Sequence, residues 1–389
     1  MSQSRSPHRV WVLGAGFSRA LGGPLLPDLL YRRMPEEIEW VVKGCSGYQD
    51  VVQSVQWAHD IFHFGKDKQR NLWQDAEGFL VGLDYATNRS LSSWRGKVSS
   101  AIDACGYGPN SHLAEFRERD PVPLILDKLW RAARLALIID CSSFLSGTDL
   151  DNMQSDETWL PYLDWARRLT ENDTVISFNY DGVLDMLAGA PGTKIEIMPP
   201  ARANTQIAAQ QALTSDGLGA TVLKVHGSVH WVQSGVNLKP PRISAEQADN
   251  TIIGVPGLSK QDVTMQLKPL WDRALTAIQE AREIFFIGYR FPESDPWARR
   301  AILNAIRFRH SDSYRLHVVL GPNLGHPDVL RMKALLSMAG GLSPKQIFDN
   351  EHGARPIAMG RSLIVHPLWA QDFIAEYQLT TMADRILPP

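Results

Sequence analysis

Cysteine is scarce in this chain. Its three residues, Cys45, Cys105 and Cys141, are odd in number and far apart, which leaves neither a disulfide framework nor a Cys-x-x-Cys zinc site. A reducing, cytoplasmic setting is the expectation. No unbroken apolar stretch reaches the roughly 18 residues that a membrane helix needs. The opening Ser-Gln-Ser-Arg-Ser-Pro-His-Arg has no apolar core of signal-peptide length. Charge of one sign is not in excess either: 40 basic residues face 42 acidic ones, so no global field gathers nucleic acid or anionic lipid. Direct nucleic-acid binding and membrane association are therefore not expected. A Walker-type Gly-x-x-x-x-Gly-Lys loop, internal repeats and low-complexity segments are also missing from the sequence.

What remains is enough for large cores, with 389 residues of which 44% are hydrophobic. The stretch Thr174 to Asp181, TVISFNYD, organises the rest. Thr174 to Phe178 is short, apolar and rich in β-branched residues, and reads as a buried strand. Gly182 to Leu187 follows as a short helix, so Asn179, Tyr180 and Asp181 fall in the turn between them. Four further apolar runs behave alike. Val10 to Leu13 stops at Gly14-Ala15-Gly16-Phe17-Ser18, and Thr221 to Val225 stops at His226-Gly227-Ser228. Glu283 to Ile287 stops at Gly288-Tyr289-Arg290, and Leu316 to Leu320 at Gly321-Pro322-Asn323.

Strands alternating with helical stretches predict an α/β fold: a Rossmann-like, doubly wound parallel sheet with all five turns along one edge. Ligands bind at that edge. Residues 31–173 have helical spacing and predict a large, mainly helical insertion, broken near 106–109 and 121–123. The sheet-forming core then comprises 1–30 and 174–325, and 326–389 reads as a C-terminal helical extension around one short run, Ser362 to Val365. One amphipathic helix is expected over 262–282, and Asp295-Pro296 supplies an N-cap and N1 proline for another.

The first glycine turn could bring backbone N–H groups to a pyrophosphate. It lacks the third glycine of the dinucleotide fingerprint, where Arg19 stands, and no second strand ending in an acidic residue follows about 20 residues on. An ordinary dehydrogenase is thereby disfavoured.

Together the motifs resemble the sirtuin superfamily, specifically the sirtuin-like domains of bacterial anti-phage defence proteins. The matching pieces are GAGFS and GGPLLPDLL within 14–30, SFNYDGVLD at 177–185, KVHGSVHW at 224–231, GVPGLSK at 254–260 with Trp271 beyond, and IGYRFPESD at 287–295. They cover about half the chain. The resemblance implies that Gly14, Ala15, Gly16 and Ser18 hold the pyrophosphate of NAD, with Phe17 nearby. It implies Asn179 and His226 as catalytic residues and Asp181 beside them on the ribose or nicotinamide side. Gly288, Tyr289 and Asp295 would complete the ribose and adenosine pocket, with Asn323 as a further member. The chain departs from the deacylating members in having no four-cysteine zinc module, so no zinc is expected, and in carrying Arg290 where many relatives have a small hydroxyl residue.

The activity this implies is cleavage of the nicotinamide–ribose bond of NAD by water, giving nicotinamide and ADP-ribose, used to deplete NAD during phage infection. The transition state is oxocarbenium-like, and nicotinamide leaves without strong acid assistance. The site must hold the ribose, offset charge at C1′ and place a water. An amide such as Asn179 suits the holding, and His226 can take a proton near neutrality. A homo-oligomer or a separate partner, such as a HerA-type ATPase or a short Argonaute, would gate the activity. Two other classes stay open: a non-catalytic NAD- or ADP-ribose-binding assembly subunit, and an NAD-dependent protein deacylase. Each residue also has a structural reading. Asn179 could close its turn, Asp181 could cap the next helix, Asp295 is a good N-cap in any case, and His226 could be a buried imidazole.

Overall fold

Strand β1 (Arg9–Leu13) shows how the chain builds layers. All five of its residues are buried, and alternation along a strand sends neighbouring side chains to opposite faces. Val10 and Val12 pack into one core, Trp11 and Leu13 into another. In the computed structural model the same holds for β2 (Asp173–Ser177) and β8 (Glu283–Ile287), which flank β1 in parallel and are also buried throughout.

The structure describes residues 8–30, 38, 48–67, 71–88, 92–105, 122–199, 219–232, 235–236, 250–257, 259–350 and 360–377. The breaks near 106–109 and 121, most of the polar stretch at 199–219, nearly all of the connection at 237–250, and Cys45 lie outside them.

Eight strands form the central sheet. Besides β1, β2 and β8 they are β3 (Ile195–Ile197), β4 (Ala220–Lys224), β9 (Tyr314–Val319), β10 (Ile347–Asp349) and β11 (Arg361–His366), in the order β10-β11-β9-β8-β1-β2-β4-β3. Every pairing is parallel. The chain winds from β1 towards β3, then crosses back to β8 and winds the other way. The β1/β8 pair is therefore the topological switch point of a Rossmann-like α/β fold, and all carboxyl ends share one edge. Helices cover both faces: Lys268–Glu280, Pro296–Arg307 and Pro327–Gly340 on one, Leu160–Arg168, Val183–Gly189 and Ala370–Glu376 on the other. No helix among the described residues is long and apolar enough to cross a membrane.

Several expectations change. The tail beyond 326 is not only helical, since it adds β10 and β11 to the sheet; Ile347–Asp349 is too short to carry a periodic signal. Ile195–Ile197 escapes notice for the same reason. Leu160–Arg168 packs against Trp11 and Val175, so it belongs to the sheet's helical layer and not to the insertion. The helix expected over 262–282 is two, Ser259–Gln266 and Lys268–Glu280, parted at Leu267, where Pro269 cannot continue the hydrogen-bond ladder. After His226 the chain enters no helix. Gly227, at φ +84, turns it into β5 (Gly227–Val232), which pairs antiparallel with β6 (Gly235–Val236) and β7 (Thr251–Ile253).

The described part of the insertion forms its own core from Tyr48–Lys66, Ala76–Asn88, Ser92–Cys105 and Val122–Ser143. Val229, Ile253 and Val255 of the small sheet and the chain after it belong to that same core, which fixes the insertion over the sheet's carboxyl edge.

Two glycines test which positions the architecture constrains. A Cβ on Gly288, at φ +63, would lie 2.5 Å from Gly16 Cα, backbone against backbone. Gly288→Ala is expected to lower unfolding free energy by at least about 2 kcal/mol. Gly96, inside a helix with open space around it, behaves oppositely: Gly96→Ala should raise stability by about 0.5–1 kcal/mol. Urea denaturation of the two variants measures both signs.

Candidate functional site

The turns after β1 and β8 touch through their main chains. Gly14 N–H donates to Ile287 O at 3.0 Å and Gly16 N–H to Gly288 O at 3.3 Å. A Cβ on Gly14 would stand 2.5 Å from Gly288 O, and one on Gly16 2.7 Å from Gly288 Cα. Close approach is what these glycines permit, and the first object approached is the neighbouring turn. Phe17 N–H bonds Gly14 O at 2.8 Å, so the amides of Gly14, Gly16 and Phe17 are all engaged internally. The turn runs into a three-residue 3-10 helix, Arg19–Leu21, instead of an α-helix whose N-terminus could cradle phosphate. Phe17 is buried in the core against Tyr162 and Trp165, so its side chain stands away from the ligand position that the resemblance implies.

The turn after β2 locks onto this joint. Asn179 Nδ2 lies 3.1 Å from Gly14 O and 3.4 Å from Ser18 Oγ. A carbonyl can only accept, so the amide N–H groups face inward and Oδ1 is left as what Asn179 can offer a ligand. Ser18 Oγ donates to Asp181 Oδ2 at 2.8 Å, and Asp181 Oδ1 accepts Val183 N–H at 3.2 Å. Asp181 thus bonds the first residue of the following helix and ties the two turns together. Burial pushes its carboxyl up, against the pull of Lys224, Ser18 and Val183. Beneath it Lys224, wholly buried, donates to Asp181 O at 2.7 Å, Asp185 Oδ2 at 2.6 Å and Ser228 Oγ at 2.6 Å. All three ammonium protons have partners, the condition under which a buried charge is tolerated.

His226 leaves the end of β4 beside this turn, packed edge-on against Phe178 at 4.7 Å and near Tyr180 and Trp271. Its Nε2 lies 2.7 Å from Asp295 Oδ2, and Lys260 Nζ reaches the same oxygen at 2.8 Å. The histidine ring also bonds the Phe178 backbone. Burial and then Lys260 lower His226 to about 4 against the pull of Asp295, so the imidazole is neutral at pH 7. Burial by itself would push Asp295 up; His226 and Lys260 overcome it and hold the carboxyl well below the usual range. Asp295 Oδ1 accepts Ala298 N–H at 3.2 Å, fulfilling the N-cap reading. Asp295 thus has the helix cap on one oxygen and both basic groups at the other.

A cavity of about 160 Å³ gathers Gly14, Ala15, Asn179, Asp181, His226, Gly288 and Tyr289. A second, of about 330 Å³, opens across the Gly16–Gly288 joint and contains Ala15, Gly16, Gly288, Arg290 and Asn323. Asn323 is exposed and closes its own turn by accepting Gly325 N–H at 3.0 Å, so it belongs to the second cavity only. Ser18, Phe17 and Asp295 line neither. Arg290 borders both and pairs with Asp328 at 2.8 Å.

Three residues went unread in the sequence. Lys224 had one signal, a lysine inside an otherwise apolar strand. Lys260 closes the GVPGLSK piece, where it was given no role. Glu77, from the insertion, has no local mark, yet it lines the 160 Å³ cavity with one buried oxygen lacking a partner among the described residues. Burial, then Asp75, push its carboxyl up.

The buried histidines dictate a pH dependence of stability. His226 and His366 are each lowered from 6.5 to about 4 by burial, and His8 in the same direction. The unfolded chain binds protons that these rings refuse in the fold, so stability is complete above about pH 6.5 and falls as pH drops towards 4. At about 1.4 kcal/mol per pKa unit, each of the two rings accounts for something on the order of 3 kcal/mol over that window. Urea unfolding between pH 7 and pH 4 should show the decline, and His226→Gln should flatten it; an unchanged slope in that variant would contradict the assignment.

No family model matches the chain, and no curated protein matches it in sequence.

Proposed function

We propose that the protein hydrolyses NAD to nicotinamide and ADP-ribose. The observation that carries this reading is the meeting of the Asn179 amide and a neutral His226 on one small cavity at the switch point of a parallel sheet. A volume of about 160 Å³ is small beside the roughly 300–1,000 Å³ of drug-sized ligand pockets. It suits one end of a longer ligand whose remainder crosses the glycine joint into the 330 Å³ cavity. A dinucleotide has that two-ended form.

In the reaction the C1′–N bond breaks with its electron pair passing to the nicotinamide ring, and a water oxygen bonds to C1′. Asn179 Oδ1 accepts from a ribose hydroxyl or from that water. His226, uncharged at neutral pH, takes the released proton on the ring nitrogen that carries none. Asp181, with both oxygens engaged, positions the two turns. Use of the reaction in anti-phage defence, and gating by an oligomer or partner, rest on the resemblance of GAGFS, SFNYD, KVHGS and IGYRFPESD alone.

Nicotinamide release should be measured for the purified protein, alone and co-purified from its native operon. Asn179→Ala and His226→Ala are each expected to lose roughly 100-fold or more in kcat. Activity intact in both variants would sink the assignment. Bound NAD without turnover in either preparation would favour the non-catalytic binding subunit.

A further inference from the structure

Two basic side chains converge on one oxygen. Asp295 Oδ2 is 2.7 Å from His226 Nε2 and 2.8 Å from Lys260 Nζ, and all three residues are buried. The carboxylate cannot give each partner its own oxygen, because Oδ1 holds the helix cap at Ala298 N–H. A buried carboxylate keeps its charge only when a cation compensates it. Lys260 is the one already placed to do so, and its ammonium opposes a second positive charge on the neighbouring imidazole.

We propose that Lys260 is a positioning residue: by carrying the countercharge of Asp295, it leaves His226 uncharged and able to take a proton. This rests on His226 being the base of the hydrolysis proposed above. Asp295 has Lys260 as a second partner at 2.8 Å, so its buried charge does not depend on a proton added to His226. The proton that His226 accepts makes an imidazolium, which Asp295 can then face as a true ion pair until the proton leaves to solvent. Without the lysine charge, Asp295 draws a proton onto His226 beforehand and the base is occupied.

Other groups around the pair act less directly. Tyr180 and Tyr289 are pushed up by burial and stay protonated. Glu77 and Cys141 come from the insertion, and Arg290 and Arg299 from the chain after β8; none of these six side chains has a hydrogen bond or ion pair to Asp295 Oδ2 in the structure.

The test is an NMR titration of the His226 ring in the full chain, with Lys260→Met, Lys260→Gln and Lys260→Arg. Lys260→Met and Lys260→Gln are expected to raise the His226 midpoint by one unit or more, a tenfold or greater gain in proton affinity. Lys260→Arg should leave it close to the parent value. Lys260→Gln keeps length and a donor, so it reads the charge even where Lys260→Met unfolds. In nicotinamide release, the acid limb of kcat should move up by the same amount. An unchanged His226 midpoint in the Gln variant, or an equal rise in the Arg variant, overturns the proposal. The titration needs no turnover, so loss of the hydrolase reading alone would show as a shifted midpoint without NAD cleavage.

Discussion

Main chain rests on main chain where the turns after β1 and β8 meet, and the site is built outward from that contact. The atoms of Gly14, Gly16 and Gly288 approach too closely for any Cβ to stand between them, and paired amide and carbonyl groups hold the approach. Because Gly14 O also receives the Asn179 amide, the position of the second turn depends on the first joint. Two cavities open on either side of it, sharing Ala15, Gly288 and Arg290.

Charge buried behind each turn gives the site its stiffness. Lys224 holds the Asn-Tyr-Asp turn from below through Asp181 O and Asp185; Lys260 holds Asp295 behind His226. Pairs of this kind add little net stability, since removing charges from water costs about as much as their attraction returns. They restrict geometry instead, because breaking one leaves an uncompensated charge in a low-dielectric place. The same desolvation that makes them demanding keeps His226 neutral.

The insertion is part of this arrangement. Its core includes Val229, Ile253 and Val255, and Tyr180 packs against it, while Tyr180 also bonds Gly254 O at 2.6 Å. Glu77, Leu137 and Cys141 form one wall of the smaller cavity. Helices that cover the carboxyl edge thereby supply polar groups as well as a roof, in a region where an unpaired polar atom is costly.

Local chemistry determined much of this in advance. Short β-branched runs ending at Gly14, Asn179, His226, Gly288 and Gly321 specify parallel strands with a shared edge, because alternation with helices leaves few other topologies. Asp295 before Pro296 specifies a helix start for reasons internal to those residues. Tertiary structure decided which polar groups meet. Asp295 meets His226 and Lys260, Phe17 turns into the core, and Asn323 lines the second cavity. Edge strands such as Ile195–Ile197 are recruited by neighbours and not by their own pattern. Backbone hydrogen bonds and hydrophobic periodicity act within a few residues and can be read from them. Burial, shared carboxylate oxygens and glycine contacts join positions scores of residues apart, and they exist only once the sheet has closed.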